Sequence, residues 1–260
     1  MAVTSDGVPV VTHNPRLDPD LTRTADGVWL DGAGPPVNRL TFAKLGRLDV
    51  GRARPGSVTA RAFPEQIPCD GARMPLLAEV FAATAASGMW IEADLKTDPR
   101  APDLTVSPQR MADLVVTTAR AAGAMRRLAV RSFDWRVMRH LRATCPDLPL
   151  VWLTNARTEA AAAWWWDLTS PSASAAQAVA SAARPAATWR PTWAPDHAGL
   201  LAREVADAHA LGLRVVPWTV NHPADMARLI AWGVDGLCTD RPDLARIAMV
   251  AAGLPPPSPG

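Results

Sequence analysis

An α/β fold around a parallel sheet is predicted by three observations. Short apolar runs of strand length alternate with longer amphipathic stretches of helical period, the signature of βαβ units. The length, 260 residues, suits one large domain and is common for α/β barrels. The hydrophobic fraction of 48% supplies a substantial core.

The elements follow in order. Residues 8–11, Val-Pro-Val-Val, come after an Asp6-Gly7 turn and read as one arm of a hairpin. Residues 15–73 break the βα rhythm: they are rich in Pro, Gly, Asp and Arg and hold few long apolar runs. A segment this long inside a domain is usually functional, so it reads as an insertion over the active-site face. Residues 76–87 are helical, with apolar positions on one face and Gly88 as the stop. Strand-like runs then fall at 90–95, 128–133, 150–153, 188–193 (the weakest), 213–220 and 236–239. Helices are predicted at 109–122 behind a Ser107 cap, at 135–143 ahead of Cys145-Pro146, and at 195–211 ending on Gly212. Two more fall at 225–232, ending on Gly233, and at 241–252. The reading is thus one domain over residues 1–252 and a Pro-rich, disordered tail at 253–260.

Charge excludes some functions. With 27 basic and 25 acidic residues, the formal net charge of +2 gives no reason to invoke nucleic acid or an anionic membrane. No apolar run reaches the ~18 residues of a spanning helix, so no stable membrane insertion is expected. Met1-Ala2-Val3 lacks the features of a signal peptide. As written the chain reads as cytoplasmic; a signal lying upstream would make it periplasmic or secreted. Cys69, Cys145 and Cys238 form no CxxC and leave an odd count. They read as small buried apolar side chains rather than as a disulfide or metal framework. Trp164-Trp165-Trp166 admits three readings: an interface, a lid or a packed helix end.

The sharpest chemical signal is Trp90-Ile91-Glu92-Ala93-Asp94-Leu95-Lys96. Alternation along a strand puts Glu92, Asp94 and Lys96 on one face. Three charges facing together are costly unless they meet a metal, a phosphate or each other. A solvated edge strand or a buried ion pair satisfies the same pattern. His13, following Pro9-Val10-Val11-Thr12, is by itself an ordinary loop histidine. The remaining His140, His197 and His222 show no metal-ligand spacing, and His209 reads as structural.

The segment Thr4-Ser5-Asp6-Gly7-Val8-Pro9-Val10-Val11-Thr12-His13-Asn14 resembles the T-x-D-G-x-P-V-V-x-H-D motif of the glycerophosphodiester phosphodiesterase family. Val130-Arg131-Ser132-Phe133-Asp134 is similar to the family's V-x-S-F-D strand, and Pro217-Trp218-Thr219-Val220-Asn221 to its W-T-V-N strand. Residues 233–242, from Gly233-Val234-Asp235-Gly236 to Thr239-Asp240-Arg241-Pro242, match its closing segment. Together these cover nearly the whole chain in the family's order.

The resemblance implies a (β/α)8 barrel of the phospholipase-C-like phosphodiesterase kind. Its first two strands, with a histidine-arginine-glycine and a Glu-x-Asp, would precede Met1, leaving an incomplete barrel. It implies hydrolysis of glycerophosphodiesters to glycerol 3-phosphate and an alcohol, with a divalent metal, Mg²⁺ or Ca²⁺, held by carboxylates. Carried over residue by residue, His13 is a general acid or base. Lys96 lies near the substrate phosphate, and Trp218 is a weaker substrate contact. Anchoring on Lys96 puts Asp94 at the metal position, where the family has Glu; Glu92, two residues earlier, is the second metal candidate. Asn14 stands where the family has Asp. The expected partner is a small glycerophosphodiester, and turnover by residues 1–260 alone is expected to be impaired. The alternatives are a non-catalytic barrel remnant kept for binding, or a related phosphodiesterase acting on lysophospholipids.

Overall fold

The computed structural model describes residues 1–167, 174–183 and 189–255. The chain folds as two compact units, one made of Met1–Ala86 with Ala93–Arg126, the other of Ser87–Glu92 with Arg127–Gly260.

The first unit opens on a hairpin. Strand β1 (Ala2–Val3) pairs antiparallel with β2 (Pro9–Val10), Ala2 opposite Val10. Gly7, at φ +81°, supplies the left-handed turn residue. Asp6 stiffens the turn, accepting from the Thr4 hydroxyl at 2.5 Å and from the Phe42 amide at 3.1 Å. Residues 15–73 contain little regular structure: β3 (Arg23–Thr24) pairs with β4 (Leu48–Asp49) beside short helical turns. Apolar burial is modest there, with Leu17, Val37 and Leu45 joining Ala2, Val10 and Met74 in one cluster.

Polar bonds therefore carry much of the order in this segment. The Asp49 carboxylate accepts from the Gly71 and Gly51 amides at 3.0 and 2.8 Å and from Arg23 at 2.6 Å. The two amides, and after them Arg23, hold its carboxyl down at about 2. Gly51 is required by a close approach: any Cβ there would collide with the Cys69 carbonyl. The helix Pro108–Ala121 closes the unit, capped by Ser107, whose hydroxyl accepts from the Arg110 amide. It buries Met111, Ala112, Val115, Val116 and Ala119, a stripe of helical period.

The second unit is built on a sheet of order β5-β6-β7-β8-β9. The strands are β5 (Ile91–Asp94), β6 (Leu128–Ser132), β7 (Leu150–Thr154), β8 (Thr192–Pro195) and β9 (Arg214–Val215). The second half of β5 belongs to the first unit. Pairing from β6 to β9 is parallel, with Ser132 beside Trp152, Trp152 beside Trp193 and Trp193 beside Val215. The predicted run at 236–239 continues this ladder without forming a regular strand. The Asp235 amide donates to the Val215 carbonyl, the Cys238 amide to Pro217, and the Val220 amide to Cys238. Among the described residues the sheet does not close into a barrel.

Alternation gives the sheet two apolar faces. On one, Trp152 meets Trp135 of the helix Trp135–Thr144 edge to face at 4.9 Å, and Trp166 stacks on Trp135 at 4.5 Å. On the other, Val151, Leu153 and Ala194 are buried beneath Phe133 and Trp218.

Some expectations need correction. The helix expected over 195–211 spans Ala202–Ala210. Pro195 instead ends β8, and the Asp196 carboxylate turns the chain by accepting from the Ala198 amide. The strand expected at 188–193 lies at 192–195; Thr188 and residues 256–260 of the expected tail lie outside the described residues. None of the cysteines is fully buried, and Cys69 is exposed in the irregular segment. The tryptophan run is a packed helix end for Trp165 and Trp166, whereas Trp164 is exposed.

Candidate active site

The hairpin and the end of β5 deliver three of the expected residues to one place within the first unit. The nitrogen of Met1 donates to the carbonyls of Thr12, at 3.0 Å, and Asp94, at 2.9 Å. These bonds tie the segment before His13 to the strand that carries Asp94. Through the end of β5 and just past it the buried residues are Ala93, Leu95 and Thr97, so Asp94 and Lys96 fall on the more open side.

The Lys96 ammonium is central. Its Nζ lies 2.9 Å from His13 Nε2 and 3.4 Å from Asp94 Oδ2. An ammonium only donates, so it assigns Nε2 of His13 as the acceptor and puts the ring proton on Nδ1. That nitrogen lies 2.8 Å from Asn14 Oδ1, and Asn14 Nδ2 donates to Asp18 Oδ2 at 3.2 Å. The chain Lys96–His13–Asn14–Asp18 fixes the tautomer and the ring plane. Asn14 thus retains the orienting bond without placing its own charge against the imidazole. With two of its three N–H groups directed at His13 and Asp94, Lys96 has one left for an anionic oxygen.

The other candidates stand elsewhere. Glu92 accepts from Arg131 at 2.9 Å, and the same guanidinium nitrogen lies 3.3 Å from Cys238 Sγ. Glu92 thus forms an ion pair on the exposed side of the strand rather than the buried pair the pattern also allowed, while Asp94 faces the lysine. Trp218, in the second unit, donates from Nε1 to the Ala194 carbonyl at 2.9 Å and meets Phe133 edge to face at 5.3 Å. Asn221 and Asp240 form a further polar knot: Asn221 Oδ1 accepts from the Asp240 amide and the Thr239 hydroxyl. His209 is structural, as expected, bonding Asp235 at 2.9 Å.

Two contributors were not singled out from the sequence. Arg131 fills the variable position of the V-x-S-F-D match, where strand alternation could have paired it with Glu92. Asp18 sits in a Pro-rich stretch with no periodicity and gave no signal.

The implied metal was tested against these groups. Among the described residues, no three His, Cys, Asp or Glu side chains could hold a metal ion together. Asp94 already faces an ammonium, and Glu92 is engaged by a guanidinium. The residues present do not fit a complete divalent-metal site.

Comparison with known proteins bears on the same features. The sequence model of the glycerophosphoryl diester phosphodiesterase family matches residues 1–244. A Bacillus subtilis glycerophosphodiester phosphodiesterase is 25% identical over 248 residues, covering 94% of this chain and 73% of the relative. A solved Silicibacter pomeroyi structure carrying the family's name is 34% identical with a TM-score of 0.85, covering 97% of this chain and 82% of that one. An Oleispira antarctica phosphodiesterase, solved with its product sn-glycerol-3-phosphate, shares the fold at 18% identity and a TM-score of 0.63, covering 96% of this chain and 82% of its own. The match over residues 1–244 spans the His13 hairpin, the Asp94–Lys96 strand and the parallel ladder: the chain belongs to the glycerophosphoryl diester phosphodiesterase family.

Proposed function

We propose that this protein binds glycerophosphodiesters through Lys96 and hydrolyses them to glycerol 3-phosphate and an alcohol, with His13 moving the proton. The observation that supports it best is the single ammonium bridging an imidazole nitrogen at 2.9 Å and a carboxylate at 3.4 Å. An ammonium beside an imidazole suits a phosphodiester: the ammonium neutralises charge on a phosphoryl oxygen, and once the phosphate draws Lys96 off His13 Nε2 that nitrogen is left to accept the proton. The Oleispira antarctica relative, with its bound sn-glycerol-3-phosphate, supports glycerol 3-phosphate as the product. Trp218 keeps the role of substrate platform that the resemblance gives it.

Asp94 is the residue of this chain that would ligate an Mg²⁺ or Ca²⁺, with Glu92 second. One carboxylate and one imidazole converge on Lys96, so turnover by residues 1–260 is slow. The same shortage favours a second reading, a chain that binds the phosphate ester without turning it over.

The test incubates the purified protein with glycerophosphocholine and follows glycerol 3-phosphate release, with and without Mg²⁺, Ca²⁺ and a chelator. Slow release that Lys96→Ala and His13→Ala both remove is the expected result. Release unaffected by either change would sink the assignment. Binding of glycerol 3-phosphate with no release at all would favour the second reading.

A further inference from the structure

The near balance of charge over the whole chain conceals a local excess in the irregular part of the first unit. Between Gly51 and Asp70 the chain carries Arg52, Arg54, Arg61 and Glu65; with Arg52 neutralised by Asp70, Arg54 and Arg61 stand against Glu65. The same stretch displays large apolar side chains to solvent: Val58 is 69% exposed, Phe63 39% and Ile67 88%. Every residue from 61 to 71 is exposed. Large apolar side chains exposed close together in one stretch, with polar residues around them, mark an interaction site.

The loop is ordered at its base. The Cys69 amide donates to the Gly51 carbonyl at 2.7 Å, and Gln66 Oε1 accepts from the Ala53 amide at 2.9 Å. Asp70 receives Arg52 through two nitrogens, each at 2.5 Å, and Arg23 at 2.7 Å. Its tip carries the short helix Val58–Ala62, and the Gln66 amide closes the next turn on the Phe63 carbonyl. Such a loop does not have to order itself in order to bind, which lowers the cost of association.

We propose that residues 52–69 form a peripheral contact with an anionic phospholipid surface. The charge decides the occupant. Arg52 is tied to Asp70, but Arg54 and Arg61 lie exposed beside the apolar tip. Basic side chains flanking shallowly inserting apolar ones match a negatively charged headgroup layer. Ile67 and Phe63 would enter the boundary between headgroups and acyl chains. The arginines would stay at phosphate level, with their stems along the apolar surface. This is surface attachment and needs no spanning helix; no helix of the described chain is long and apolar enough to cross a membrane.

The experiment is co-sedimentation of the full chain with mixed phosphatidylglycerol–phosphatidylcholine vesicles and with pure phosphatidylcholine vesicles. Binding should be confined to the mixed vesicles and should fall as salt rises, since exposed charges are screened. Arg54→Ala with Arg61→Ala should weaken it by about fivefold for each arginine removed. Ile67→Asp should abolish it while leaving the circular dichroism spectrum and glycerol 3-phosphate binding unchanged. Because Lys96→Ala should leave vesicle binding intact, failure here is separable from failure of the catalytic assignment. Equal binding to both vesicle types, or full binding by Ile67→Asp, would overturn the proposal. So would an Ile67→Asp variant that instead dissociates a dimer seen by light scattering, because the surface would then seat a second copy.

Discussion

The two units are held by different physics. In the second, βα repeats bury tryptophans against one another, with Trp135, Trp152 and Trp166 all nearly inaccessible to solvent. In the first, residues 15–73 keep their shape largely through a few carboxylates, Asp6, Asp49 and Asp70, that gather backbone amides and guanidiniums. Apolar burial is non-directional and tolerant of sequence; carboxylate bonding is directional and sensitive to pH. The candidate site sits in the unit that depends on the second kind of force.

The largest effect expected from this contrast is in the second unit. Trp135→Ala should lower unfolding stability by about 3–5 kcal/mol, the usual cost of deleting a buried aromatic. Trp135 touches both Trp152 and Trp166, so the cavity is lined by rings with little room to collapse. Denaturant unfolding monitored by circular dichroism checks this. A loss below about 1 kcal/mol, the ordinary cost of a point change, would mean the stack adds little.

Next in size is Lys96→Ala. Removing the ammonium should weaken binding of glycerol 3-phosphate by about 1.5–3 kcal/mol, the range for hydrogen bonds to charged groups. Lys96→Arg should recover part of it, since the charge remains while the point-like geometry is lost. Isothermal titration of both variants separates the outcomes. Equal affinity in Lys96→Ala and the unaltered chain would remove lysine from the phosphate contact.

These effects differ in how visible their origins are in sequence. The repeating half could be read from period alone: the runs at 128–133 and 150–153 became β6 and β7, and Ser107 capped its helix as expected. In the site, alternation alone picked out Asp94 and Lys96, but His13 could be read only through resemblance, because taken alone it is an unremarkable loop residue. The Glu92–Arg131 pair and the Asp18 end of the His13 relay were not read at all. Asp18 lies only four positions from Asn14 but in a stretch without periodicity, and the Glu92–Arg131 pair spans 39 positions between neighbouring strands whose register the sequence does not give. The same limit hid the Asp49 knot, whose partner Gly71 lies 22 residues away.

Asp49 sets the pH behaviour of the irregular segment. Its carboxyl titrates at about 2 in the fold, below the ordinary 3.8, chiefly through the Gly71 and Gly51 amides. A depressed folded value means the stabilisation is complete above about pH 4 and is lost as pH falls toward 2. The contribution is on the order of 1–2 kcal/mol. Protection of the Gly51 and Gly71 amides from hydrogen exchange, relative to their intrinsic rates at each pH, should therefore fall across that window, ahead of amides in β6 and β7. Asp49→Asn should show the faster exchange already at neutral pH. An unfolding that reached both units together at the same pH would break the contrast.

The smallest effect tests whether burial, rather than aromatic character, is what stabilises the second unit. Trp164 and Trp166 are two residues apart, yet Trp164 is 62% exposed and Trp166 only 4%. Trp166 stacks on Trp135 at an interplanar angle of 8°, whereas among the described residues no ring contact involves Trp164. Stabilisation by burial scales with the area removed from water, so an exposed indole contributes little and a buried one a great deal. Trp164→Ser should shift stability by no more than about 0.5 kcal/mol, as surface changes usually do. Trp166→Ala should cost several times more. Thermal unfolding of the two variants side by side gives the comparison directly. Equal losses would mean that Trp164 is covered in solution by a surface outside the described fold, and the three tryptophans would then return to the interface reading that their sequence first allowed.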